Sequence, residues 1–357
     1  MKLRKWWLGF SIVAMIIVAG TFLLATGTLA VAPPLQNEED IIMHLPVAPY
    51  NTGPATPTPR PTRPPTDSIV VDHMSLADFE RIPDEYIAAA QGLRMIFIDR
   101  SVGSNINDGL TCLSYPSSTE APNHCVRYEH EDPAFSVDPS VVSWNRPGGY
   151  DRSNWEFQGY SSACEGGGWT ATVPCFIQMV EPHINSYDVL SFQFSYLAVD
   201  ESSTIASQPG GYFWNNASAN IGDVYDQEAF EAQHPDKVFI YWTTSLARGI
   251  GTSVAEQFNE QMRQYAIAND KPLFDVADIL SHDPDGNPCY DNRDGVPYDN
   301  GNNSENYPDD GQDYPAICQH YTTETDGGHL GRVSAGKIRV AKAFWVLMAR
   351  IAGWDGS

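Results

Sequence analysis

The chain has 357 residues, with 45 acidic against 21 basic and a formal net charge of -24. A field of that sign repels phosphate backbones, which excludes nucleic acid as a partner, and it disfavours anionic membrane surfaces. The length admits one large domain or two.

Residues 1–32 read as a targeting segment. Lys2, Arg4 and Lys5 are followed by an uncharged, mostly apolar run from Trp6 to Ala32. The run exceeds the roughly 7–15 apolar residues of a signal-peptide core and reaches the about 20 needed to span a bilayer. The expectation is an N-terminal membrane anchor or a signal peptide cut after Ala30-Val31-Ala32, with the rest of the chain exported by the positive-inside rule. Contact with the membrane is expected only through this segment. Residues 33–67 form a Pro/Thr-rich linker. Proline at nearly every second position from Pro54 to Thr66 removes ladder donors and favours an extended stalk.

The folded domain is expected over 68–357. A helix-like stretch, Leu76 to Ala90, leads into the apolar run Arg94 to Asp99. Tyr187–Tyr196, Lys237–Thr243 and Pro272–Val276 are further strand-like runs. Ser253–Ala268 reads as a helix, and Ser334–Ala352 repeats Ile338, Ala341, Phe344, Trp345, Met348 and Ile351 at helical spacing. Strands alternating with helices predict an α/β fold with a central parallel sheet covered on both faces and its site at the carboxyl strand ends.

The six cysteines are Cys112, Cys125, Cys164, Cys175, Cys289 and Cys318. An even number in an exported chain predicts disulfides. Nearest-neighbour pairing, 112–125, 164–175 and 289–318, is the simplest arrangement. No Cys-x-x-Cys pair occurs, which argues against zinc held by thiolates.

Two short segments carry candidate chemistry. After the first strand comes Arg100-Ser101-Val102-Gly103-Ser104-Asn105. A serine at a strand end with glycine two residues on suits a nucleophile on a tight turn, with helix-start amides as oxyanion donors. An ordinary helix N-cap is the plainer reading. Ser104 competes with Ser101, which sits nearer the strand end. The second segment is Thr325-Asp326-Gly327-Gly328-His329-Leu330. Asp326 and His329, three apart on a glycine-flexed loop, can form the carboxylate–imidazole half of a triad, or simply a surface turn.

A strand-end serine together with Asp-x-x-His just before the last helix resembles the SGNH (GDSL-like) hydrolase family over most of 90–354. The likeness is strongest at Phe97–Ile106 and Thr325–Leu330. It implies a flavodoxin-like three-layer α/β/α sandwich and a triad of Ser101, Asp326 and His329 acting on carboxylic esters without a cofactor or metal. Small esters or acylated polysaccharides are the implied substrates. The sequence departs from the family in reading Asp99-Arg100-Ser101 for Gly-Asp-Ser, and in lacking the third-block asparagine over Phe194–Asp200. Gly149, or its neighbour Gly148, is the candidate second-block glycine, and Asn105 the candidate replacement donor beside Gly103. An inactive relative that binds at the cell surface is the alternative. A third reading is a disulfide-stapled calcium-binding module.

That third reading rests on the acidic stretch His282 to Tyr314, which includes Asp283, Asp285, Asp291, Asp294, Asp299, Glu305, Asp309, Asp310 and Asp313. Its spacing resembles a calcium loop only loosely, and a solvated loop pinned by Cys289 and Cys318 is favoured. The remaining histidines, His73 and His282 among them, show no partner pattern. The nine tryptophans read as core and rim packing.

Overall fold

The computed structural model describes residues 68–98, 102–160, 171–196, 198–199, 202–215, 222–244, 246, 252–291, 298–299, 306–307, 313–324, 328–331 and 333–357. The targeting segment and the linker lie outside them. Among the described residues no helix is long and apolar enough to cross a membrane.

Six parallel strands form the central sheet: β1 Val70–Val71, β2 Met95–Ile98, β3 Trp155–Gln158, β4 Val189–Phe192, β5 Val238–Trp242 and β6 Leu273–Phe274. Their spatial order is β1-β6-β5-β4-β2-β3. Without the two-residue edge strand β1 this is the doubly wound, flavodoxin-like order, in which the winding reverses beside β2. A separate antiparallel pair joins β7 Tyr298–Asp299 to β8 Asn306–Tyr307.

Side chains along the central strands alternate between two cores. Met95, Phe97, Val189, Ile240, Trp242 and Phe274 face one. Ile96, Ile98, Leu190, Phe192, Phe239, Tyr241 and Leu273 face the other. All are buried, because a parallel sheet must be covered on both sides. The first face is covered by α1 Asp84–Gly92, α2 Val102–Leu113, α6 Val276–Leu280 and α7 Ser334–Ile351. The second is covered by α3 Thr172–Val180, α4 Val224–Gln233 and α5 Ser253–Ala268. The chain is thus a three-layer α/β/α sandwich with a parallel sheet, as expected.

Two local expectations change, and one strand is not foreseen. The helix over Leu76–Ala90 is two pieces, a 3-10 turn at Met74–Arg81 and then α1, because Pro83 stands extended between them at the N-cap. The strand over Tyr187–Tyr196 pairs only over Val189–Phe192. Strand β3 pairs with β2 over all four of its residues but buries only Trp155, so it carries no readable apolar period.

Disulfides join Cys112 to Cys125 and Cys289 to Cys318. Cys175 is also disulfide-bonded, while Cys164, its expected partner, lies outside the described residues.

Candidate functional site

The winding reverses beside β2, and α2 is the next element in the chain, so this sheet edge is where a doubly wound fold places its site. Helix α2 is fixed against α7 by close backbone approach. A Cβ on Gly109 would stand 2.3 Å from the Lys337 carbonyl oxygen, so only glycine lets the two axes come this near. Val102, Ile106 and Leu110 bury the same stripe of α2. The first turn of α2 therefore rests on a rigid support.

The segment entering α7 returns to that turn. It is held at several points. Tyr321 donates its hydroxyl to the His282 carbonyl at 2.6 Å. The His130 Nε2–H reaches the Thr322 carbonyl at 3.1 Å, a tautomer fixed by the Asp132 amide donating to His130 Nδ1. The Thr322 hydroxyl donates to the His329 carbonyl at 2.7 Å and accepts the Glu324 amide at 3.0 Å. Thr322 is fully buried, so one side chain ties both ends of the loop from inside. Gly331, at φ 57°, makes the turn out of it. Ser334 then starts α7 while exchanging backbone and side-chain hydrogen bonds with Arg127.

Within this frame His329 Nδ1 lies 3.0 Å from Glu324 Oε2, which also accepts the His329 amide at 3.1 Å. The carboxylate thereby sets both the position and the tautomer of the ring, leaving Nε2 as the basic nitrogen. The Glu324 hydrogen bond raises the pKa of His329 against the opposing effect of partial burial. Burial works to raise the Glu324 carboxyl, but the hydrogen bonds from His329 outweigh it and hold it below its ordinary value. The next residue, Leu330, donates its amide to Asn105 Oδ1 at 2.8 Å. On the other side Gly328 lies against the Tyr196 ring, just beyond β4; a Cβ there would meet Tyr196 Cε1 at 2.5 Å. The first turn of α2, the segment after β4 and the loop before α7 thus converge.

Of the expected site residues, Ser101 and Asp326 lie outside the described residues. His329, Asn105 and Gly103 fall in the one region just built. Asn105 uses its carbonyl oxygen as a clamp on Leu330, where the sequence assigned it a donor role. Ser104 is exposed on α2. Gly149 belongs elsewhere: its own Cβ would stand 2.0 Å from the Ser114 carbonyl. That carbonyl is at the far end of α2, about 18 Å of helix from the first turn. At φ 69° it serves a tight turn closed onto Arg146. Gly148 makes the same turn at φ 84°.

The acidic stretch is partly described. Asp283 Oδ1 accepts the amides of Asp285 and Asn287, and Oδ2 accepts Asn287 Nδ2. Buried Asp291 accepts the Tyr314 amide. Asp283 thus shapes its own turn, while Asp291 ties two chain segments together. Asp294, Glu305, Asp309 and Asp310 lie outside the described residues.

Sequence reasoning missed Glu324, Thr322 and Tyr196. The only local signal was a second acid near His329, and nothing in Thr322-Thr323-Glu324-Thr325-Asp326 separates the two. No family model, curated protein or solved structure matches the chain.

Proposed function

We propose that the domain is an extracytoplasmic serine esterase of the SGNH type, with Ser101 as nucleophile, His329 as base and Glu324 as the carboxylate that orients it. The Glu324–His329 pair, tied through Leu330 and Asn105 to the first turn of α2, carries this reading. Ser101 immediately precedes that turn in the chain. His329 Nε2 takes the hydroxyl proton as Ser101 Oγ bonds to the ester carbonyl carbon. The oxyanion is stabilised by amides at the α2 start, Gly103 among them, where the helix dipole is positive. The imidazolium returns the proton to the leaving alcohol, and water hydrolyses the acyl-enzyme by the reverse sequence. Glu324 takes the role that the family pattern gives to Asp326.

The export reading rests on residues 1–32 and agrees with the disulfides, which persist in oxidising compartments. A small ester or an acylated carbohydrate is the substrate class. The end of β4, where no family-type asparagine follows, favours a second reading, an inactive domain that binds acylated ligands. Labelling with a fluorophosphonate separates the two. Wild type is expected to label, and Ser101→Ala and His329→Ala are not. An unlabelled wild type removes the esterase, and labelling that survives Ser101→Ala removes Ser101 from the mechanism.

A further inference from the structure

His130 and His320 both pack against the Phe135 ring, with centroids 5.6 and 5.5 Å from it and planes at 74° and 84°. Both also act on the short segment that enters the Glu324–His329 loop. His320 lies in its 3-10 turn, Gln319–Tyr321, just after Cys318 of the Cys289–Cys318 bridge. His130 holds the Thr322 carbonyl through Nε2 at 3.1 Å. Thr322 in turn accepts the Glu324 amide and donates to the His329 carbonyl.

Each ring suits its place only while neutral. His130 Nδ1 accepts the Asp132 amide at 2.9 Å, and an imidazolium has no lone pair with which to accept. Protonation there sets one N–H against another. His320 Nδ1 is buried with no hydrogen-bond partner among the described residues. Protonation there creates a buried donor with nothing to receive it. The charged and titratable groups facing His320 are Asp283, His130 and Asp285. Burial holds the His320 imidazole below its ordinary pKa and His130 adds to this, outweighing the opposite pull of Asp283 and Asp285. Beside His130, the Asp132 carboxylate is engaged by the Ala134 amide.

We infer that His130 and His320 form an acid-sensitive latch on the segment that carries Glu324: neutral rings hold it closed, and protonated rings release it, with Asp283 and Asp285 as the new partners of His320. This is a local charge change biasing one packed segment, the common form of a pH switch. It stands whether or not Ser101 is a nucleophile. The released segment takes up protons near the ordinary imidazole value of about 6.5, and the closed one resists them. The closed form therefore loses stability as pH falls below about 6.5. The Glu324–His329 contact works the other way, gaining strength over the same range as His329 becomes charged.

The test is hydrogen exchange of the full-length chain at the Tyr321 and Glu324 amides, which donate to the Cys318 carbonyl and the Thr322 hydroxyl. Rates at about pH 8 and about pH 5 span the range in which histidine charges, and each is divided by the intrinsic chemical rate at its pH. Opening in wild type is expected to rise about tenfold toward acid, the factor that one pH unit of preference for the neutral ring confers. The rise should be larger in His329→Asn, which lacks the opposing contact, and absent in His130→Gln/His320→Gln. Should the double variant fail to fold, the NMR titration of His320 in wild type decides. Its midpoint is expected below about 6.5, and lower again in Asp283→Asn. Exchange that stays flat in both wild type and His329→Asn overturns the inference. So does an undiminished rise in the double variant, or a His320 midpoint at or above about 6.5.

Discussion

Asn105 Oδ1 accepts the Leu330 amide at 2.8 Å, joining residues 225 apart in the chain. Leu330 is fully buried, so an amide that loses this acceptor has no water to turn to. Asn105→Ala is expected to cost about 1–3 kcal/mol of stability, the penalty for an orphaned buried donor, and to slow fluorophosphonate labelling by releasing the loop. Asn105→Asp keeps an oxygen in place and should recover most of both. Denaturant melts and labelling rates check this. Equal behaviour of the alanine and aspartate variants would mean that the clamp does not position His329.

The contact between Gly328 and Tyr196 makes a second, sharper case. Gly328 is buried and has no room for a methyl group, since its nearest neighbours would be ring carbons of Tyr196 at 2.5 and 2.6 Å. Gly328→Ala should overpack the site by about 1–3 kcal/mol and reduce esterase turnover by displacing His329. Because the obstacle is one side chain, Tyr196→Ala in the same molecule should restore part of the loss. The pair must then be non-additive. Additive effects in the double-mutant cycle would mean that the two residues do not touch in solution.

The same two contacts mark what the sequence can and cannot convey. The strand-and-helix alternation is legible because β2, β4, β5 and α7 bury continuous apolar stripes, and burial leaves a period in the sequence. The disulfide between Cys289 and Cys318 is legible from simple chain proximity. Glu324 is not, because the choice between two acids depends on where the Thr322 hydroxyl folds the loop back on itself. The roles of Asn105 and Gly149 are not legible either. A polar side chain clamping a distant amide, and a glycine fitted under the Ser114 carbonyl, are set by tertiary neighbours more than a helix turn away. His130 and His320 have no shared sequence pattern, because only the folded chain brings both against Phe135.

Cys289–Cys318 closes a separation of 29 residues, and Cys318 is the residue before the 3-10 turn that holds Tyr321. Removing the cross-link by Cys289→Ser/Cys318→Ser should cost about 3.5 kcal/mol by the loop-entropy relation. The segment carrying Glu324 and His329 should be the part that loosens. Hydrogen exchange across 319–333 is expected to speed up in this variant far more than exchange in β4 and β5. Uniform acceleration throughout the sheet would show that the bridge supports global stability alone.

The Glu324–His329 pair makes the pH dependence specific. The folded pKa of His329 is raised and that of Glu324 lowered. The pair's contribution to stability is therefore complete between their unfolded values, about 4.3 and 6.5. It is lost as pH rises through the raised imidazole pKa, and again as pH falls through the depressed carboxyl pKa. Catalysis needs the neutral ring, so kcat/KM for a p-nitrophenyl ester should rise with pH to a plateau, with a midpoint above about 6.5. Glu324→Gln removes the cause of the upward shift while partial burial remains, so its midpoint should move toward acid and its plateau should fall. Asp326→Asn should leave the midpoint in place. If Asp326→Asn moves the midpoint and Glu324→Gln does not, then Asp326 is the carboxylate that steers His329 during turnover, and the contact with Glu324 belongs to the resting loop.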